Sequence, residues 1–332
     1  MASHLAETSS GELHLSDGKK GGLPELLKAL ESINVRSIHL DGSSLADWEK
    51  AQVEELLKKI GNLSSMRSLH LFGGSFTALS LAELLRTASK LQFSEIGRTL
   101  VEGDEDAISD FNGALYGHKS LEEFIAMDFD FCLDKTKLET SIDDLIKSLS
   151  TIPTLRVVKI EASSEHKMYC SKFCLAPLMR AKSLTTLLLA RLPLEPMHFN
   201  ILAFSIARSS LIYLALPYTN MDDEAAANLS AACVASDAVE EIDFSSNEIG
   251  DIGCIAIASN LTETKTVRVV RLEGNKAIGS KGYGALAEML TANYSVEILE
   301  IGHGGDAACR VVIDEQLSKN RAVRRDMSAH AA

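Results

Sequence analysis

At 332 residues the chain is long enough for two ordinary domains or one long repetitive one. Its 46% hydrophobic content supplies a continuous core, and an aromatic share of only 5% suits many small, similar aliphatic layers. With 33 Lys and Arg against 46 Asp and Glu, the formal charge of −13 repels phosphate backbones, which argues against nucleic acid and for a protein partner.

The opening MASHLAETSSGELHLSDGKKGG has no apolar run of secretory-signal length, and no stretch reaches the roughly 18 apolar residues of a membrane helix. A cytoplasmic location without membrane contact is therefore expected. The six cysteines form no CxxC pair and read as reduced thiols. Leu13 and Leu15 mark a degenerate opening strand, and residues 1–34 are read as an N-terminal cap with a degenerate first repeat. The pattern LxxLxL, with any aliphatic residue at the L positions, then begins at Val35, Met66, Leu121, Leu155, Leu184, Leu211, Val239, Val267 and Val296. From Leu155 onward the steps are 29, 27, 28, 28 and 29 residues. Another copy falls near Leu91 to Ile96 with its register blurred over 91–98. The 34-residue step from Leu121 to Leu155 predicts an insertion that bulges around Asp128 to Lys137. The repeat array is assigned to 35–310, and 311–332 to a C-terminal cap and basic tail with a closing strand near Val323.

A second column locks the first. Ten residues before each following strand stand Leu56, Phe111, Leu145, Cys174, Ile201, Leu229, Ile257, Leu286 and Ile313. Six residues before it stand Ile60, Leu115, Leu149, Leu178, Cys233, Leu261, Leu290 and Leu317. A separation of four puts both on one helix face. Each unit is thus a short strand followed by an amphipathic helix, and one unit cannot bury its apolar face without stacked neighbours. In the two clearest units Asn247 and Asn275 follow the strand, where an inward amide can satisfy turning backbone. Ile249 and Ile278 fill the core below that turn, and Gly253 and Gly282 allow a tight start to the helix.

These residues resemble the ribonuclease-inhibitor-like leucine-rich repeats, also found in Ran GTPase-activating proteins and in the sensor ends of NOD-like receptors. The resemblance is close over 184–310 and looser over 30–183. It implies an α/β leucine-rich-repeat solenoid of about ten repeats, a horseshoe with parallel strands on the concave face and helices on the convex face. Its implied function is a recognition surface.

No phosphate loop, HExxH, GxSxG or dinucleotide fingerprint occurs, so no catalytic, cofactor or metal residue is assigned and a non-enzymatic role is expected. His166, Cys170 and Cys174 have helical spacing, but Cys174 and Cys233 fall in the core columns, where cysteine acts as a small hydrophobe. Alternate strand residues face opposite sides, so the third, fifth and seventh positions of each motif point outward. His14, His39 and His70 share the fifth position of successive strands; three independent solvated histidines are the first reading, and the rival is an imidazole column that is pH-sensitive or weakly metal-binding. Outward slots of the late repeats are charged, with Glu241 and Asp243, then Arg271 and Glu273. Those of the middle repeats hold Ile125, Met127, Val157, Leu188, Tyr213 and Pro217, with Tyr218 alongside. Apolar surface rimmed by charge predicts a scaffold or adaptor whose protein partner is anchored on the middle strands and steered by Glu241, Asp243 and Arg271. The alternative is a GTPase-activating protein resembling the Ran regulator, which needs an exposed early arginine. Arg36 and Arg67 have the position, while the tail is basic where the familiar members are acidic.

Overall fold

A computed structural model describes residues 6–7, 11–15, 23–32, 34–132, 139–164, 167–171, 174–302 and 307–331. The chain forms two compact units, Met1–Ser171 and Lys172–Ala332.

In the first unit the strands are β1 (Ala6–Glu7), β2 (Glu12–Leu15), β3 (Ser37–Asp41), β4 (Ser68–Phe72), β5 (Ser75–Thr77), β6 (Phe93–Gly97), β7 (Leu100–Glu102), β8 (Glu123–Cys132), β9 (Glu139–Ser141), β10 (Val157–Ala162) and β11 (Lys167–Tyr169). The helices are α1 (Leu23–Ser32), α2 (Lys50–Gly61), α3 (Ala78–Thr87), α4 (Glu105–Leu115) and α5 (Asp143–Leu149). The main sheet runs β1-β2-β3-β4-β6-β8-β10, antiparallel at its first pair and parallel thereafter. Leu13, Ile38, Leu69, Phe124 and Val158 occupy one buried row, as the repeat requires. Two smaller parallel ladders, β5-β7-β8 and β9-β11, were not anticipated. Phe76, Val101 and Phe131, on β5, β7 and β8, are each buried.

The blurred repeat resolves here. Leu69 pairs with Ser94 and Leu71 with Ile96, so the motif begins at Leu91 and a serine occupies the aliphatic slot. Its hydroxyl is buried without a hydrogen-bond partner. The predicted bulge is present at Asp128. The pairing of β10 slips from Ile160–Ala126 to Ala162–Phe129, giving β8 an extra residue, and Asp128 turns to φ +52°. The rest of that expected insertion, from residue 133 on, lies outside the described residues.

The second unit contains β12 (Thr186–Ala190), β13 (Tyr213–Ala215), β14 (Glu241–Asp243), β15 (Val269–Arg271) and β16 (Ile298–Glu300), all parallel and in chain order. Behind them lie α6 (Leu175–Leu178), α7 (Pro196–Ile206), α8 (Asp223–Val234), α9 (Asp251–Leu261), α10 (Ser280–Ala292) and α11 (Ala307–Ala331). Leu229 with Cys233, Ile257 with Leu261, and Leu286 with Leu290 are fully buried, as the helix column predicts.

Three expectations are corrected. Ile201 is only half-buried, because the 27-residue step shortens the link to the next strand by one and brings Leu202 and Ile206 into the core instead. Cys174 is likewise half-buried, flanking the single turn of α6 while Leu175 and Leu178 fill the core. Val323 is helical and exposed. The residue belongs to α11, on which Asn320 donates to the Asn293 and Val296 carbonyls at 3.0 and 2.7 Å.

The asparagines do what their position suggests. Asn275 Oδ1 accepts from the Asn247 and Ile249 amides at 3.1 and 3.2 Å, while its Nδ2 donates to the Phe244 and Leu272 carbonyls at 2.9 and 2.8 Å. Asn247 repeats the pattern one layer back, accepting from Thr219 and Met221 and donating to Leu216 and Phe244. Every such amide stitches two neighbouring repeats. A second stitch was missed. Asp223 Oδ1 accepts from Gly250 at 2.7 Å, and 28 residues on Asp251 Oδ1 accepts from Gly279 and Gly282 at 2.7 and 2.8 Å. A Cβ on Gly253 would stand 2.5 Å from Asp223 Oδ1, so the carboxylate's approach requires glycine there.

Candidate partner-binding strand face

In the second unit the third-position row reads Thr186, Tyr213, Glu241, Val269, Ile298, and the fifth-position row Leu188, Ala215, Asp243, Arg271, Glu300. Leu188, Tyr213, Pro217, Glu241, Asp243 and Arg271 are all half-buried, and Tyr218 is 51% exposed. Leu188 therefore lies opposite Ala215 and diagonal to Tyr213. Ala215 is fully covered despite its outward slot. Burial, then the Asp243 and Glu241 carboxylates, push the Tyr213 phenol up to about 12, against the opposing pull of Arg271. Tyr213 thus shares its surroundings with charge and is less free an anchor than its sequence position suggests. Arg271 pairs with Glu241 and, at 2.8 Å, with Glu300. Arg268 reaches Glu240 at 3.2 Å and Glu297 at 3.7 Å. The charged strands form a self-compensating network.

The eighth residue of many repeats takes a left-handed backbone: Gly73, Arg98, Asp128, Arg191, Tyr218, Ser246 and Gly274. Away from glycine this costs on the order of 1 kcal/mol. At neighbouring repeats it places Arg191 over the Tyr218 ring, 4.9 Å from its centroid, beyond the strand ends. Arg191 was not among the expected site residues, although its place in the motif matches that of Tyr218.

In the first unit Ile125, Met127 and Val157 are half-buried on the outward face, with Ile125 opposite Glu95 and Met127 opposite Gly97. Two apolar neighbours were missed, Phe93 because the register at 91–98 was blurred and Phe72 because its exposure depends on Gly97. Phe93 is half-buried in the third-position row. Phe72, 39% exposed, lies across Gly97, where a Cβ would come within 2.8 Å of the ring. Arg36 is exposed, whereas Arg67 donates to the Ser64 and Met66 carbonyls at 3.3 and 2.9 Å.

The histidine column forms. His14 stacks on His39 with centroids 4.3 Å apart, His39 on His70 at 4.0 Å, and His70 against Phe93 at 4.7 Å. Nδ1 of His70 meets Glu95 Oε2 at 2.7 Å, and His39 Nε2 meets Ser37 Oγ at 3.2 Å. The two pairs of imidazoles stack nearly parallel, at interplanar angles of 11° and 9°. Burial first, then His70 and His14, lower the His39 pKa, against Glu12 and Glu95. A base whose folded pKa is depressed leaves stability intact above its unfolded value of about 6.5 and erodes it as pH falls from there through the folded value. His39→Gln is therefore expected to flatten the loss of urea resistance between neutral and mildly acid pH. The His39 ring resonance in the wild-type chain should titrate below the ordinary histidine range, and an ordinary curve would contradict the coupling.

Cys233 and Cys254 fit packing. Burial pushes the thiols of Cys233 and Cys254 up to about 12, the latter helped by Asp251 and Asp223, which leaves them unreactive. Cys170 is buried and His166 lies outside the described residues. Among the described residues no helix is long and apolar enough to cross a membrane.

A family model described as a leucine-rich repeat matches residues 239–258. No curated protein matches the sequence. Among solved structures the chain is similar to one titled as the yeast Rad7 and Elc1 complex, at 12% identity and TM-score 0.50, covering 89% of this chain and 77% of that one. It is similar also to one titled as a TLR13–ssRNA13 complex, at 14% identity and TM-score 0.51, covering 88% of this chain and 36% of that one. Leiomodin-1 actin-binding site 2 aligns over 42% of this chain and 80% of its own, at 21% identity and TM-score 0.39. The fold is an α/β leucine-rich-repeat solenoid.

Proposed function

We propose that the chain is a non-catalytic scaffold that holds a protein partner on its outward strand face. In the second unit the contact centres on Leu188, Tyr213, Pro217 and Tyr218, with Arg191 added. In the first unit Ile125, Met127 and Val157 occupy the corresponding slots, beside Phe72. The observation that carries this reading is the exposed Tyr218 ring. It is held in a left-handed backbone and stacked by Arg191 beside half-buried apolar strand residues. The left-handed turn recurs at this place in the repeat, so what supports partner contact is the exposed aromatic area that it presents here. The similar Rad7 structure, titled as a complex with Elc1, shows the fold in a protein assembly. The ribonuclease-inhibitor-like subtype and a cytoplasmic setting belong to the same proposal. The free thiols Cys233, Cys254 and Cys309 suit a reducing compartment.

Leu188→Ala and Tyr218→Ala should each weaken partner binding by about 1–3 kcal/mol in a calorimetric titration while leaving the fold unchanged. Because Glu241 sits in a paired network, Glu241→Lys should alter chiefly the association rate and its salt dependence. Wild-type affinity in both apolar variants would move the contact away from these strands.

A further inference from the structure

On the helix side of the second unit, α6 and α7 leave a groove of about 580 Å³. Its origin is local. α6 is a single turn, Leu175–Leu178, containing Pro177, whereas α8, α9 and α10 run 12, 11 and 13 residues. α7 has a second apolar stripe besides its core face: Met197, Ile201 and Phe204, continued by Arg208, at the spacing of one helical side. A one-turn helix is too short to cover that stripe. Ile201 stays half-buried, Met197 is 42% exposed and Phe204 is 73% exposed, all on the groove wall.

The rim is cationic. Arg180, Lys182 and Arg208 line the groove, no acidic residue does, and Arg208 stacks over Phe204 at 5.3 Å. Among the described residues none of the three forms an ion pair. Some helix-side cations elsewhere are paired, as Lys58 is with Glu83 at 3.0 Å and Arg86 with Asp110, whereas among the described residues Lys147 and Lys281 are not. On a chain of net charge −13, unpaired cations around an apolar slot form a local reversal of sign. We propose that this groove docks an acidic amphipathic segment of a second protein. The segment would insert a large apolar side chain beside Ile201 and Phe204 and set its carboxylates against Arg180, Lys182 and Arg208. This surface is distinct from the strand face, and neither proposal depends on the other.

The test is selection of random displayed peptides on the intact chain, with counter-screens on Phe204→Ala and on Arg180→Glu/Arg208→Glu. These side chains are exposed, so the variants should keep the wild-type circular dichroism and melting curve. The enriched peptides should carry Leu or an aromatic residue among Asp and Glu. Each counter-screen variant should bind them about tenfold or more weakly. Affinity should fall as salt rises, and Arg180→Lys/Arg208→Lys should retain most of the binding. No enrichment, enriched peptides without acidic residues, or equal binding to the variants would overturn the proposal. Self-association of the chain abolished by Phe204→Ala would overturn it too, by assigning the groove to a second copy.

Discussion

Replacing Leu214 or Ile242 with alanine is expected to lower unfolding free energy by about 2–5 kcal/mol, the range for a large-to-small change at a closed site. Both side chains are fully buried, and they pair directly with each other across β13 and β14. Leu187 flanks Leu214 on its far side, and Val270 flanks Ile242. A void at either position therefore strips contacts from two layers, and a close-packed interior collapses onto it only in part. Leu317→Ala, on α11 in the last described layer, should cost less because the described residues stack against it on one side. Urea titrations of the three variants give the comparison. Equal losses at the middle and at the end would contradict a stability built from nearest-neighbour stacking.

Asn275→Ala should rank next, at roughly 3 kcal/mol. It orphans two amides, of Asn247 and Ile249, and two carbonyls, of Phe244 and Leu272, in a place where Asn275 itself is only 7% exposed. An unpaired buried polar group costs about 1–3 kcal/mol, and partial relaxation keeps the total below the sum. Asn275→Asp would keep the acceptor but turn an oxygen toward both carbonyls, so it should recover little. Amide exchange at Asn247 and Ile249 reads the effect locally. Unchanged exchange with an unchanged urea midpoint would show that the ladder is dispensable.

The repeat was legible because every layer asks for the same residue class at the same offset, so weak signals add up along the chain. Legibility failed where one layer departs from its neighbours. Ser94 puts a hydroxyl in an aliphatic slot, which hid a register that strand pairing makes plain. The 27-residue step moved Ile201 out of the core by one position, a shift that offset counting cannot distinguish from a regular layer. Val323 looked like a further strand because a lone valine fits a loose pattern, yet the whole segment around it is helix α11.

The candidate site was legible as a set of outward slots and obscure in its coverage. Alternation shows which way Tyr213 points, but not that Asp243, Glu241 and Arg271 stand close to its phenol. Phe72 was missed because its exposure depends on Gly97, one strand away. Asp223 and Asp251 had a usable signal, a first-turn aspartate recurring after 28 residues. The histidine column was legible only as the rival to three separately solvated rings: the shared offset puts the residues on neighbouring parallel strands but does not show that their rings stack.

The central claim is that a protein binds the strand face, and site-specific photo-crosslinking tests it whatever the identity of the partner. A benzophenone amino acid is placed at Tyr218 on the strand side, or at Ile252, 75% exposed on α9. Each labelled chain is then irradiated in an extract of the source cells. The account predicts a discrete protein adduct from position 218, lost when Leu188→Ala is added, and none of that mass from position 252. An adduct only from position 252, or a nucleic-acid adduct from position 218, would contradict it.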